Sequence, residues 1–121
     1  MARLVGEVLP INELMAALDI ACSSSENERF PNVLGESMAC GVPCVATDVG
    51  NSAWIVGAMG LAVPPEDLAA LAAACRALMQ EARRRLSAGA RARVAREFSL
   101  ARVVSKYEAV QTEVLEPREH R

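Results

Sequence analysis

A chain of 121 residues with 52% hydrophobic content is long enough for one buried core, and its net charge of -2 argues against a protein built as a whole to bind nucleic acid. Aromatics make up only 3% of it, so Leu, Val, Ile, Met and Ala must fill that core. Cys22, Cys40, Cys44 and Cys75 show no C-x-x-C spacing and His120 is the single histidine, which argues against a zinc site or a disulfide framework and fits four buried thiols in a reducing, cytoplasmic compartment.

Charge is spread unevenly. Residues 1–75 carry a net -7, residues 76–106 a net +7, and the remainder a net -2. The basic segment Arg76–Lys106 reads first as a solvated helical face, and second as a peripheral contact with a membrane or a lipid-linked molecule. No apolar run reaches the roughly 18 residues needed to span a bilayer, and the N-terminus lacks a secretion pattern.

In chain order, Arg3–Val8 reads as a short β run ended by Leu9-Pro10. Ile11 to Leu18 has helical spacing with Asn12 as N-cap, and Asp19–Cys22 reads as a brief strand running into a polar loop. The spacing predicts a helix near Asn32–Cys40, closed by Gly41 where a positive φ is wanted. Cys44–Thr47 is an apolar strand, followed by the turn Asp48–Asn51, a short piece at Ala53–Val56, a Gly57/Gly60 turn and a strand at Leu61–Val63. A helix begins after Glu66, with Leu68, Leu71, Ala72, Cys75, Leu78 and Met79 as its core stripe. Glu81–Glu97 is expected to be helical with a break near Ser87–Gly89, and Ser99 to cap a last helix bearing Leu100, Val103, Val104, Tyr107, Val110 and Val114. Short continuous apolar strands alternating with helices predict an α/β fold: a partial Rossmann-like parallel sheet flanked by helices, with a helical C-terminus. Residues 1–116 form the domain and 117–121 a charged tail.

In such sheets ligands gather at helix N-termini beyond the carboxyl ends of the strands. The stretch Ser25–Gly41, S-E-N-E-R-F-P-N-V-L-G-E-S-M-A-C-G, supplies such a place. Pro31 at the helix start loses no hydrogen bond there. The N–H groups of Asn32, Val33 and Leu34 then face the loop with the positive end of the helix dipole behind them, a setting for a diphosphate. Glu36 lies one turn on, and a carboxylate accepts two hydrogen bonds side by side, which matches the cis-diol of a ribose. Glu28 on the loop offers the same to sugar hydroxyls. Taken bare, two glutamates eight apart are equally consistent with solvated surface residues.

The flanking residues go further. "SENERFPNVLGESMACGVPCVATDVGNSAWIVG", with "GLAVPPEDLAALAAACRALM" and "REFSLARVVSKYEAV", resembles the C-terminal domain of retaining, nucleotide-sugar-dependent glycosyltransferases of family 4, which have the GT-B fold. The family's Glu-x-seven-Glu motif falls on Glu28 and Glu36. The resemblance implies that Glu28 is the catalytic-site glutamate contacting the donor sugar and that Glu36 holds the ribose. It also implies that Phe30, Pro31, Asn32, Val33 and Leu34 surround the sugar, diphosphate and nucleoside, with Asp48–Gly50 as a turn beside them. It implies no metal and no cofactor other than the nucleotide-sugar substrate. The helix from Ser99 resembles the one that crosses back to the N-terminal domain in these enzymes.

Two departures qualify the likeness. Arg29 stands where the family has Gly, adding bulk and charge beside the sugar. The N-terminal acceptor domain and the opening units of the C-terminal domain, which carry a basic pair for the leaving diphosphate, have no counterpart in residues 1–27; Arg3 is a poor candidate. The expectation is therefore a donor-binding portion without turnover of its own, self-associating through exposed sheet edges and apolar faces. The alternatives are a non-catalytic nucleotide- or sugar-binding module and an assembly fragment.

Overall fold

The structure is a computed structural model that describes residues 2–81 and 83–115, with residues 83–85 as backbone only. The charged tail at 117–121 and His120 lie outside the described residues. At the centre is β2 (Cys44–Thr47), buried along its whole length. It pairs in parallel with β1 (Ala21–Ser23) on one side and β3 (Gly60–Val63) on the other, in the order β1-β2-β3. The register sets Ala21 opposite Cys44 and Val45 opposite Leu61. Parallel neighbours require a crossover, supplied by α2 (Asn32–Ala39) between β1 and β2 and by α3 (Ser52–Val56) between β2 and β3.

Alternation along β2 separates two apolar layers. Cys44 and Ala46 face Leu34 and Met38 of α2, Ile55 and Val56 of α3, and Ala90 of α5 (Arg83–Glu97). Val45 points the other way, toward Val63, toward Ala74 and Leu78 of α4 (Leu68–Gln80), and toward Leu86. The sheet is thus covered on both faces, as an all-parallel sheet requires. Asp67 caps α4 by accepting the Ala70 N–H at 2.8 Å. Ser99 caps α6 (Leu100–Leu115), its hydroxyl accepting the Arg102 N–H at 3.3 Å. Gly41 has φ +76°, the left-handed step that ends α2.

Four expectations are corrected. Arg3–Val8 forms no strand: it is irregular, with Leu4 and Val5 exposed, because an isolated β run has no neighbour to satisfy its backbone groups. In α1 (Ile11–Ala16) Pro10, not Asn12, occupies the N-cap position. Helix α5 runs unbroken through Ser87–Gly89. Gly89 is there for closeness, since a Cβ on it would stand 2.2 Å from Met59 Sδ. In α4 the buried face is Ala74 and Leu78, with Ala70, Leu71 and Cys75 partly covered, while Leu68 and Met79 are 81% and 67% exposed.

The thiols also differ from expectation. All four cysteines are free, but Cys44 alone is fully buried, and Cys22 is exposed at the sheet edge. Burial pushes the Cys44 thiol up to about 12, with the Cys22 charge a smaller contribution. Desolvation, reinforced by a hydrogen bond with Cys75, pushes Cys22 up to about 11.

Candidate functional site

The loop between β1 and α2 carries Glu28 and leads to Glu36 on α2; one contact from the end of β2, one from the β2–α3 turn and one within the loop hold it. Thr47, the last residue of β2, donates its hydroxyl to the Ser25 carbonyl at 2.5 Å. Ser25 in turn donates its own hydroxyl to Glu28 Oε1 at 3.3 Å. The Asn51 N–H donates to the Arg29 carbonyl at 3.1 Å. Glu28 is half-buried, whereas Arg29 is exposed.

Pro31 is buried at the N-cap position of α2, and no side chain caps that end. Its carbonyl accepts the Leu34 N–H at 3.1 Å. The N–H groups of Asn32 and Val33, in the first turn, have no intrahelical acceptor. Both residues are exposed, as is Glu36 one turn further on. Leu34 is 1% exposed, its side chain in the core behind the junction. Cys44 lies directly beneath, its thiol pointing a weak hydrogen bond at the Leu34 carbonyl at 3.8 Å.

A cavity of about 310 Å³ runs along the flank of α2 from Asn32 past Gly35 and Glu36 to Ala39, and is lined as well by Phe30, Ile55, Val94 and Phe98. Glu28 precedes Phe30 by two residues and is not part of that lining. The structure therefore brings Phe30, Asn32 and Glu36 together and leaves Glu28 on the adjoining loop. Phe98 packs edge-to-face with Phe30 at 6.1 Å and with Trp54 at 4.9 Å. Trp54 is 47% exposed, with the Lys106 ammonium 5.4 Å from its ring.

The chain is matched over residues 2–81 by the model of the glycosyl transferases group 1 family. The chain belongs to that family. It is 35% identical over 109 residues to N-acetyl-alpha-D-glucosaminyl L-malate synthase of Bacillus anthracis, covering 87% of this chain and 29% of that protein. It is 43% identical over 102 residues to D-inositol 3-phosphate glycosyltransferase of Geodermatophilus obscurus, covering 83% of this chain and 22% of that one. Sucrose-phosphate synthase from Thermosynechococcus elongatus has a similar structure, with a TM-score of 0.72 and 30% identity over 84% of this chain and 26% of its own. The chain thus spans under a third of the length of these relatives. Its α/β fold is that of the C-terminal part of a GT-B glycosyltransferase.

Sequence reasoning about this candidate site assigned no role to the side chains of Ser25, Thr47 and Phe98. Ser25 and Thr47 are 22 residues apart, and only the parallel register that sets Ser23 against Ala46 brings them within reach. Among the described residues no helix is long and apolar enough to cross a membrane, and no three His, Cys, Asp or Glu side chains gather as a metal set.

Proposed function

We propose that this chain is the nucleotide-sugar donor-binding portion of a retaining glycosyltransferase, which transfers a hexose to a glycan, lipid or small-molecule acceptor. The observation that carries this reading is the lining of one cavity by Phe30, Asn32 and Glu36. Asn32 and Val33 supply N–H donors to the diphosphate, with the helix dipole behind them. Glu36 accepts the two ribose hydroxyls, and Phe30 with Phe98 forms the apolar wall. Glu28, held by Ser25, accepts hydroxyls of the sugar. The reading assigns no metal or further cofactor.

Acceptor binding and turnover belong, on this reading, to a partner domain of a larger two-domain enzyme, because the chain spans only 22–29% of its relatives. The names of those relatives point to acceptors as unlike as malate and inositol phosphate, so the acceptor is set elsewhere. Four free cysteines support a reducing, cytoplasmic location.

Isothermal calorimetry of the chain with UDP-, GDP- and ADP-hexoses tests the assignment. One of them is expected to bind, and Glu36→Ala to weaken that binding by about tenfold or more, the effect of losing charge-assisted hydrogen bonds. Binding of none of the three sinks it, as does binding indifferent to Glu36→Ala.

A further inference from the structure

Glu28 sits on an irregular loop that leaves the edge strand of the sheet, a poor mount for a carboxylate that must meet particular hydroxyls. An acceptor misplaced by about an ångström loses most of its hydrogen bond, so something must hold it. We infer that Ser25, Thr47 and Gly50 are the positioning residues for Glu28, and so set how much the sugar adds to donor binding. The inference rests on the donor-site reading above and deepens it.

Three observations converge on it. Thr47 is anchored at 5% exposure in the central strand, and its hydroxyl fixes the Ser25 carbonyl. With its backbone fixed, Ser25 directs its hydroxyl to Glu28 Oε1 at 3.3 Å, leaving the carboxylate's other lone pairs for a ligand. On the far side of Glu28, the β2–α3 turn comes against the loop backbone: Asn51 N–H holds the Arg29 carbonyl at 3.1 Å. Gly50 makes that approach possible. Its φ is +52°, and a Cβ there would stand 2.0 Å from the Glu28 carbonyl oxygen and 2.6 Å from that of Arg29. Any side chain at position 50 must push the Glu28 backbone away, and no flexible tip is available to yield.

The positioning is therefore long-range: β2, the best-buried element, aims a residue of the loop beside it. Arg29 fits the same picture. Its backbone carbonyl, not its exposed side chain, makes the holding contact.

The test compares two affinities in the same chain by calorimetry. One is for whichever of UDP-glucose, GDP-mannose or ADP-glucose binds, and the other for the matching free nucleoside diphosphate. Their ratio isolates the sugar's contribution. Ser25→Ala and Gly50→Ala are each expected to cut that ratio by about tenfold, as Glu28→Ala does, with diphosphate affinity changed less than about twofold. Ser25→Thr, which keeps the hydroxyl, restores the ratio, a rescue that a merely structural role would not give. If Gly50→Ala fails to fold, Ser25→Ala and Ser25→Thr decide alone. A ratio reduced by Glu28→Ala but untouched by Ser25→Ala overturns the positioning role and leaves the donor site standing. A wild-type chain that binds diphosphate with no added affinity for the sugar overturns the role of Glu28, and this inference with it. Binding of neither ligand overturns both.

Discussion

The β2-centred layers and helix α6 carry similar apolar side chains to opposite ends. Leu34, Met38, Ile55 and Val45 are buried against neighbours in the same chain. Leu100, Val103, Val104, Tyr107, Val110 and Val114 recur at helical spacing along α6, and every one is exposed. The difference teaches that an apolar period identifies a face that needs covering, and says nothing about which polypeptide covers it. Where α2 and α4 meet the sheet, the cover is local. On α6 it is not.

The comparison breaks most visibly in a pair of truncations. Met38→Ala, emptying a site with 0% exposure between α2 and the sheet, is expected to cost about 3 kcal/mol in urea unfolding. Val110→Ala, a similar loss of apolar volume on α6, is expected to change stability by less than about 0.5 kcal/mol. Equal costs would mean that α6 is covered in solution. Its exposed stripe together with the open edge at β1 leads us to expect self-association, with Val103→Glu plus Val110→Glu lowering the sedimentation coefficient toward that of a monomer. A concentration-independent monomer in the unmutated chain would count against it.

A smaller effect sharpens the contrast through pH. Unfolded thiols titrate near 9.0, whereas the Cys44 thiol is held near about 12 and that of Cys22 near about 11. Through that window the folded chain keeps protons that the unfolded chain releases. Their contribution is complete below pH 9 and lost as pH rises toward 12. The melting temperature should fall through this range, and Cys44→Ala should flatten the slope while lowering stability at neutral pH. An unchanged slope in that variant would assign the loss to other groups.

The sequence made some of this plain and hid the rest, for physical reasons. Helix α2 was legible because Pro31 and Gly41 punctuate it, one by a fixed φ and the other by a positive one. Strand β2 was legible as an unbroken apolar run between turn residues. In α4 the phase was misread because alanines surround the leucines. Small Ala74 approaches the sheet closely and takes a place that bulk alone would have given to Leu68 or Met79. Arg3–Val8 has β-forming residues, yet strand formation is a property of pairs, and no partner adjoins it. At the candidate site, Glu28 and Glu36 stand out through the family resemblance of the residues around them, since their spacing alone fits solvated surface residues equally well. Thr47 and Gly50, which hold the loop around Glu28, come from the far side of a crossover, where only the fold reveals them.

The aromatic contacts have an optical consequence. Trp54 is the only tryptophan in the chain, and its indole lies between Phe98 at the end of α5 and Lys106 on α6. Phe98 also touches Phe30, which lines the cavity. One native fluorophore is thus wired to both places: lifting α6 should redden its emission while the core stays folded, and filling the cavity should change its intensity. The molecule carries its own unlabelled gauge of helix attachment and ligand occupancy.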